Sequence, residues 1–325
     1  MLSKNDGRGM DQDLRASGER AITAYLHDAY GLAGIVSTAI KGVNWTLAVE
    51  DGGQAVAFVR LYRASGRSPA DVAAELAVLR AVTGTAALEV SRPLPDRRGG
   101  TVSEIELPDG SRRMIAVFSR AAGRELTATT SDYRCAGAAL ADLHRQSGLA
   151  SLAPNREILS ELATKETLAM IADRSPQAAH AIGEAIGTLE SLGANKVIGP
   201  VGFCHGDMGP LNMRIEGERV TFFDFDDCGR GPQLLDVAAM ALWLENSQHD
   251  DAAALWRAFL AGYGVAESKQ LALFVRWLVI DHQLRILRFL SDYCEIDAGL
   301  WVDVLNDAQA LVSKAARGEL RALSS

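Results

Sequence analysis

FCHGDMGPLN, residues 203–212, and FFDFDD, residues 222–227, are the two short segments on which the interpretation of this chain depends. The first places His205, Asp207 and Asn212 in a loop-forming stretch that also holds two glycines and a proline. The second places three carboxylates at the end of an apolar run. One polar group in a loop is ordinary, but several at such short spacing indicate a chemical role.

The residue types in these segments suit phosphoryl transfer. Asp207, held in a loop, can accept the proton of a hydroxyl group and orient that group for attack. Asn212 and Asp224 offer hard oxygen ligands, which Mg²⁺ prefers together with waters and substrate phosphates. We expect His205 to orient the loop through a hydrogen bond to backbone rather than to carry a proton. Phosphoryl transfer depends mainly on positioning and charge neutralisation, and this set supplies both.

Composition and charge exclude several classes of protein. The chain has 325 residues, of which 48% are hydrophobic and 23% charged, so it is long enough for two lobes of a soluble protein. A net charge of −8 argues against a nucleic-acid partner bound through phosphate neutralisation. The most apolar run, residues 271–280, is interrupted by Arg276 and falls short of the roughly 18 residues of a membrane helix. The sequence therefore predicts no membrane partner, and the polar N-terminus favours the cytoplasm.

The four cysteines are widely spaced and form no CxxC pair. This spacing argues against a zinc site and against a disulfide framework. We expect reduced thiols in or near the core, where free cysteines are commonly buried.

Residues 1–118 are predicted to form a β-rich N-terminal lobe with few helices. A helical pattern covers residues 11–30, and Ser68, Pro69 and Asp71 are typical of a helix start, for a helix that continues to about residue 82. Alternating apolar residues between turn signals indicate antiparallel strands near residues 33–40, 45–50, 54–63 and 101–118.

Residues 119–325 are predicted to form a larger, mostly helical C-terminal lobe, after a connector at residues 119–126. Only residues 201–224 interrupt the helical pattern, with a short strand, the polar loop and a further hairpin. The fold class is therefore α+β with two lobes, and a cleft between lobes is a preferred place for a ligand. Helices are expected at 131–147, 155–173, 177–192, 232–247, 249–262, 267–291 and 297–317.

Two motifs resemble those of a known superfamily. HGDMGPLN matches the HxDxxxxN signature of the aminoglycoside phosphotransferase and choline kinase superfamily, whose members are relatives of the protein kinases. FFDFDDCGRGPQLLDVA is similar to the block that carries the metal-binding Asp of that superfamily, and 12 positions separate Asn212 from Asp224, as expected. The resemblance runs from about residue 35 to about residue 315, and it implies a protein-kinase-like, two-lobed fold.

The resemblance also implies an activity, and it identifies the residues of the C-terminal lobe that perform it. The activity is transfer of the γ-phosphate of ATP to a hydroxyl-bearing acceptor, which binds on the helical lobe. Asp207 would be the catalytic base within the loop that His205 begins, and Asn212 and Asp224 would be Mg²⁺ ligands. Asp236 is similar to the Asp that braces the catalytic loop, and Leu143 and His144 match a structural "LH" helix.

In the N-terminal lobe, the resemblance implies a site for the nucleotide. Glu75 would lie on the helix that faces the phosphates, and Val117, Phe118 and Ser119 would form the hinge where adenine docks. The superfamily carries a lysine on the neighbouring strand, paired with this glutamate, but FVRLYR places Arg60 there. A guanidinium binds phosphate but does not replace an ammonium group one for one. The glycine-rich loop is also reduced, to KGVNWT at residues 41–46.

Several alternatives remain open at this level. The branch most similar in its motifs is stress-response kinase A, with type II homoserine kinase a near neighbour, so the acceptor is a small metabolite, an antibiotic or a protein Ser/Thr. Arg60 favours a rival function, a nucleotide-binding pseudokinase with a regulatory role. Asp226 and Asp227 either hydrogen-bond within their loop or contact a second metal. Asp281, Arg285 and Arg288 share one helix face and form either intrahelical ion pairs or a wall of the acceptor site.

Overall fold

The fold was analysed in a computed structural model, which describes residues 12–41, 44–64, 66–154, 161–194, 199–247, 249–294 and 296–323. The chain divides into two compact units. The first unit comprises residues 1–82 and 90–122, and the second comprises residues 83–89 and 123–325. The division after residue 122 lies within the connector expected at 119–126, whereas the assignment of residues 83–89 to the second unit has no signal in the sequence.

The helices and strands alternate more often before residue 122 than after it. In chain order they begin with α1 (Gln12–Tyr30), β1 (Ile35–Lys41), β2 (Trp45–Asp51), β3 (Gln54–Leu61), α2 (Pro69–Ala81), β4 (Leu88–Val90), β5 (Ser103–Glu106) and β6 (Arg112–Ser119). They continue with α3 (Thr130–His144), α4 (Leu149–Leu152), α5 (Glu161–Arg174), α6 (Pro176–Ser191), β7 (Val201–Cys204), β8 (Met213–Glu216), β9 (Arg219–Phe222), β10 (Gly229–Pro232), α7 (Leu234–Asn246), α8 (Ala252–Tyr263), α9 (Lys269–Tyr293) and α10 (Ala298–Arg317). The α+β fold class predicted from the sequence is confirmed.

An antiparallel sheet in the order β1-β2-β3-β6-β5 forms the first unit. Its strands alternate residues between two faces, as the period-two pattern requires. On one face, Val59, Leu61 and Val117 pack with Ile22 and Leu26 of α1 in a buried cluster. The residues in between are directed to the opposite face of the sheet.

Helix α2 begins where the sequence predicts. The Ser68 hydroxyl accepts a hydrogen bond from the Asp71 backbone N–H at 3.1 Å, and the Asp71 carboxylate accepts one from the Ser68 N–H at 3.0 Å. Pro69 occupies the first helical position. This reciprocal capping box satisfies N–H groups that the first turn leaves unpaired, and it fixes the start of the helix that carries Glu75.

Two of the helix predictions for the second unit require correction or lie partly outside the described residues. The helix expected from residue 232 begins at Leu234, because Gly229–Pro232 instead forms β10, which pairs with β7. The helix expected at 155–173 is described from Glu161 to Arg174. Residues 155–160, and residues 42 and 43 of the KGVNWT segment, lie outside the described residues.

Two further expectations concern the cysteines and the membrane. All four cysteines lie in the described ranges and none forms a disulfide; Cys204 and Cys228 are buried, and Cys135 and Cys294 are half-buried. Within the described ranges, no helix combines the length and the apolar character that crossing a membrane requires.

Helices α3 and α8 approach each other closely at two glycines. A Cβ atom on Gly137 would overlap the carbonyl oxygen of Phe259, and one on Gly262 would overlap the carbonyl oxygen of Arg134. Because the overlapping atoms belong to the backbone, neither contact can be relieved by a change of rotamer. The absence of side chains at these positions therefore sets the distance between the two helices.

We expect Gly137→Ala to destabilise the protein by about 1–3 kcal/mol, since the added methyl group would force α3 and α8 apart. Gly183→Ala is a matched control, because Gly183 is also helical but its Cβ would meet nothing within 4 Å. Alanine there should stabilise the protein by about 0.5–1 kcal/mol through its helix propensity. The measurement is urea unfolding of both variants. Shifts in the same direction would contradict close packing at Gly137.

Candidate active site

The segment with the polar motif forms a loop between two strands of the second unit. It leaves β7 after Cys204 and ends in a 3-10 turn at Pro210–Asn212, directly before β8. β7 pairs with β10, with Cys204 opposite Gly229. The beginning of the loop is therefore fixed by the backbone pairing of these two strands. We call residues 205–212 the catalytic loop.

Asp236, in the first turn of α7, holds the start of the catalytic loop. Its carboxylate accepts hydrogen bonds from the backbone N–H groups of His205, at 2.6 Å, and Gly206, at 2.9 Å. It also contacts His144 Nε2 at 3.0 Å, and His144 Nδ1 lies 2.8 Å from the Tyr263 hydroxyl. The bracing position that the resemblance suggests for Asp236 is thus observed, and His144 of the structural "LH" helix contacts the same carboxylate.

The charge of Asp236 is stabilised although the residue is fully buried. Burial disfavours the carboxylate, but the hydrogen bond and charge of His144, the charge of His205 and the N–H of Gly206 outweigh this effect. Together they hold the pKa of Asp236 below its usual value. A charged group at this position therefore ties α3 and α7 to the catalytic loop.

Gly206 allows the loop to pass against the acidic segment. Its φ of 89° lies in the left-handed region, and a Cβ atom would overlap the backbone carbonyl of Asp227. Glycine is therefore required there for both conformation and space. This is the physical reason for the glycine in the HGD motif.

His205 is fully buried and makes the hydrogen bond to backbone that the sequence predicts. Its Nε2 lies 3.0 Å from the carbonyl oxygen of Phe223, and its Nδ1 lies 3.4 Å from the backbone N–H of Asp207. Its ring also packs 4.4 Å from the ring of Phe225. His205 therefore connects the catalytic loop to the segment that precedes Asp224, and its contacts are those of a positioning residue.

Asp207 and Asn212 are joined by hydrogen bonds. The Asn212 side-chain amide donates to the Asp207 carboxylate at 2.9 Å and to the Asp207 backbone carbonyl at 2.8 Å. Burial, followed by the charges of Asp227 and Asp224, raises the pKa of Asp207 to about 6, against the opposing effects of His205 and Asn212. The pKa of this carboxylate is thus closer to neutral pH than the pKa of an ordinary Asp, as suits a general base.

Asn212 and Asp224 are brought together by the hairpin of β8 and β9. Met213 pairs with Phe222, and the Phe223 N–H donates to the Asn212 carbonyl at 3.0 Å, so both residues lie at the open end of the hairpin. Asp224 has a φ of 66° and is the only non-glycine residue with positive φ in the described part of the chain. Such a conformation is uncommon and is often found at functional sites.

These two residues suit Mg²⁺. Because Asn212 uses its amide nitrogen for Asp207, its side-chain oxygen is directed elsewhere and is left for a cation. Within the described ranges, no group of three or more His, Cys, Asp and Glu side chains is arranged to hold a metal ion. Mg²⁺ sites commonly take only one or two carboxylates from the protein and complete their shell with waters and phosphates.

In the first unit, Arg60 and Glu75 form a buried ion pair. Arg60 Nη1 lies 3.1 Å from Glu75 Oε1, and the Tyr62 hydroxyl donates to Glu75 Oε2 at 3.1 Å. The Arg60 guanidinium also lies 5.5 Å from the ring centroid of Phe118. The arginine thus pairs with the glutamate that the resemblance implies as the partner of the lysine. Tyr62 was not predicted, although it directly follows β3 and its position two residues after Arg60 directs it to the same side.

The predicted hinge residues end β6 and are already hydrogen-bonded. Val117 is fully buried in the core, and its carbonyl accepts a bond from the Leu94 N–H at 2.7 Å. The Ser119 N–H donates to the Arg92 carbonyl at 2.8 Å, and the Ser119 hydroxyl accepts from the Arg92 N–H at 2.8 Å. A ligand could therefore be contacted by Phe118, by the hydroxyl hydrogen of Ser119 or by the backbone that follows.

A family model and one related protein each match most of this chain. Residues 43–271 match the phosphotransferase enzyme family (APH). An uncharacterized protein of Deinococcus radiodurans is 31% identical over 254 residues, which cover 75% of this chain and 72% of that protein.

Solved structures show the same fold at low sequence identity. The chain is similar to amicoumacin kinase in complex with AMP-PNP, Ca²⁺ and Ami, with a TM-score of 0.68, 17% identity, and 94% and 96% of the two chains covered. It is similar to a microcompartment-associated aminopropanol kinase, with a TM-score of 0.61, 20% identity, and 92% and 98% covered. A spectinomycin phosphotransferase in complex with ADP and spectinomycin matches with a TM-score of 0.61, 14% identity, and 93% and 98% covered. The chain therefore belongs to the phosphotransferase enzyme family and has its kinase-like fold.

Proposed function

We propose that this protein is an ATP-dependent phosphotransferase that moves the γ-phosphate of Mg·ATP to a hydroxyl group of an acceptor. The acceptor is a small metabolite, an antibiotic or a protein Ser/Thr. The observation that carries this proposal is the arrangement of Asp207, Asn212 and Asp224. One carboxylate of raised proton affinity lies beside two oxygen ligands that suit Mg²⁺.

In this proposal Asp207 is the catalytic base. It accepts a hydrogen bond from the acceptor hydroxyl and takes its proton as the new O–P bond forms and the bond to the leaving ADP breaks. Asn212 keeps the Asp207 carboxylate oriented, and His205 and Asp236 keep the loop in place. Asn212 and Asp224 would hold Mg²⁺, which neutralises charge on the phosphates when bound.

The nucleotide-binding role is assigned to the first unit. Arg60, oriented by Glu75, supplies a permanent positive charge for the phosphates. Phe118, Ser119 and the backbone after them provide the contact for adenine, with Val117 supporting them from the core. Bound nucleotides in two proteins of similar fold support the use of ATP, since an ATP analogue is bound to amicoumacin kinase and ADP to spectinomycin phosphotransferase.

The relatives also support an alcohol as the acceptor class. The proteins of similar fold are an aminopropanol kinase, an amicoumacin kinase and a spectinomycin phosphotransferase, and aminopropanol is an alcohol. The experiment is transfer of labelled γ-phosphate from Mg·ATP by the purified protein, with amino alcohols, hydroxy amino acids, antibiotics and a cell-extract protein fraction offered in parallel. Label in any of these acceptors that depends on Asp207 supports the proposal. Tight nucleotide binding without label in any acceptor would contradict it.

That last outcome would favour the second candidate, a nucleotide-binding pseudokinase with a regulatory role. The observation in its favour is Arg60 at the position where the superfamily carries a lysine. The pairing of Arg60 with Glu75 supports retained phosphate binding in either case.

We expect Arg60→Ala to weaken nucleotide binding by about 10- to 100-fold, because charge-assisted hydrogen bonds contribute about 1.5–3 kcal/mol. The loss should appear in the Kd for AMP-PNP and in the KM for ATP, and Arg60→Lys should restore part of it. Arg112→Ala is a matched control in the same sheet, since Arg112 forms an ion pair with Glu104 but its side chain is 68% exposed. Equal effects of Arg60→Ala and Arg112→Ala would show that Arg60 does not bind the nucleotide.

A further inference from the structure

A cavity of about 230 Å³ lies in the second unit between α5 and α9. It is lined by Thr164 and Thr167 of α5, by Asp281, Leu284 and Arg285 of α9, and by the exposed turns of α9 that follow. We call it the α5–α9 cavity. Its volume is below the roughly 300–1,000 Å³ of sites for drug-sized ligands. It therefore suits a metabolite of a few heavy atoms better than a multi-ring antibiotic.

Arg285 has hydrogen-bond donors to spare at this cavity. Its Nε donates to Asp281 Oδ2 at 2.7 Å, and its side chain is 34% exposed. Among the residues that the structure describes, no hydrogen bond engages its two Nη groups. A guanidinium carries five N–H donors in one plane, and its terminal pair can bind a carboxylate with two parallel hydrogen bonds. The inner part of the cavity therefore offers a site for an anionic group.

Asp281, beside Arg285, offers the opposite charge. Its side chain is only 10% exposed, and one oxygen accepts from Arg285. Burial raises the pKa of Asp281 although Arg285 and His282 act in the opposite direction. Among the described residues no hydrogen bond engages its second carboxylate oxygen, Oδ1, so that oxygen is available to an ammonium group.

The charged residues at the outer end of the cavity differ from this inner pair. Arg288 Nε donates to Asp292 at 2.8 Å, and Arg288 Nη1 lies 3.6 Å from Glu166. Side chains of Arg288 and Asp292 are 42% and 39% exposed. These groups compensate one another in solvent, where such pairs contribute little. Selectivity for a charged ligand is therefore expected at the inner end.

Helix α9 is connected to the catalytic loop through α7. α9 packs against α7, which bears the loop-bracing Asp236. Burial lowers the pKa of His282, the residue after Asp281, and the charges of Asp281, Asp227 and Asp236 oppose this shift. The acidic segment that contains Asp227 is thus close enough to act electrostatically on α9 at the position next to the cavity.

We infer that the α5–α9 cavity binds the acceptor, and that the acceptor is a small zwitterion that carries a hydroxyl group. Its carboxylate binds Arg285 and its ammonium group binds Asp281. This inference rests on the proposed phosphotransferase function for the role of the hydroxyl, but the binding of the zwitterion does not depend on transfer.

Calorimetric titration tests the binding directly, in the presence of Mg²⁺ and AMP-PNP so that no turnover occurs. The probes are L-serine, L-threonine and L-homoserine, with ethanolamine lacking the carboxylate and glycolate lacking the ammonium group. At least one of the hydroxy amino acids should bind about 10-fold or more tightly than either truncated probe, because each loses a charge-assisted contact.

Two variants locate the contacts. Arg285→Gln should remove the preference for the carboxylate, so that ethanolamine binds as well as the amino acids do. Asp281→Asn should remove the preference for the ammonium group. Arg317→Gln is the control, since Arg317 pairs with Glu319 on the surface at the end of α10 and should leave all affinities unchanged. Should Asp281→Asn fail to fold, the partly exposed Arg285 still provides the test.

The outcomes separate this inference from the proposed function. Binding of a hydroxy amino acid without transfer of label would support the cavity assignment and contradict the phosphotransferase. Transfer to other acceptors, with no binding of any hydroxy amino acid, would overturn the cavity assignment alone. Wild-type affinity in Arg285→Gln with the carboxylate preference intact would overturn it as well.

Discussion

Replacement of Asp207 by asparagine is expected to reduce phosphate transfer by about 10²- to 10⁴-fold, the usual contribution of a general base. The variant should keep its fold, since an amide oxygen can still accept the hydrogen bond from Asn212. Nucleotide affinity should also be kept, because the phosphate-binding role is assigned to Arg60. The loss should therefore appear in kcat, with little change in the Kd for AMP-PNP.

The pH profile gives a second, independent readout of Asp207. Protonation removes the lone pair that accepts the hydroxyl proton, so transfer by the wild type should fall as the pH is lowered through the region of the Asp207 pKa, about 6. Residual transfer by Asp207→Asn should lack this acid limb. The control is Asp303→Asn, an exposed position on α10, which should retain both rate and profile. Full transfer by Asp207→Asn would exclude Asp207 as the base.

The second large effect is expected at Asp236. Asp236→Asn should destabilise the protein by about 3–5 kcal/mol, because it removes one partner of a fully buried charged network. The asparagine amide would also present N–H groups toward the N–H groups of His205 and Gly206, which now donate to a carboxylate. The catalytic loop would lose its anchor, so transfer should fall together with stability.

Acid titration identifies the charge of Asp236 as the cause. Its pKa is lowered in the folded protein, so its stabilisation is present above the pKa of an unfolded Asp, about 3.9. This stabilisation is lost as the pH falls through the folded value. Unfolding in urea between pH 3 and 7 should therefore show a shallower acid loss for Asp236→Asn than for the wild type, and Asp303→Asn should behave as the wild type. Equal slopes would show that the charge of Asp236 is not involved.

Much of the local structure was predictable because short-range chemistry decides it. The capping box of Ser68 and Asp71 and the alternation in β3 are each set within a few neighbouring residues, and both are observed. The pairing of Arg60 with Glu75 was also expected, but from the resemblance rather than from spacing. β10 was missed because GRGP has no strand propensity of its own, and it forms a strand by pairing with β7.

The details of the candidate site could be predicted only in part. Spacing suggested that Asp207, Asn212 and Asp224 act together, and the hairpin of β8 and β9 accounts for the proximity of the last two. Nothing local identifies the contact of Gly206 with Asp227, since it joins segments that meet only in the folded chain.

By itself, the sequence determined the fold class, the family resemblance and the set of polar residues available for phosphoryl transfer, because residue type and spacing carry that information. Only the tertiary structure decided which of these residues are charged, buried or paired. The lowered pKa of Asp236 and the raised pKa of Asp207 both arise from burial and from partners distant in sequence. Desolvation and long-range pairing depend on three-dimensional packing, which no local pattern of residues encodes.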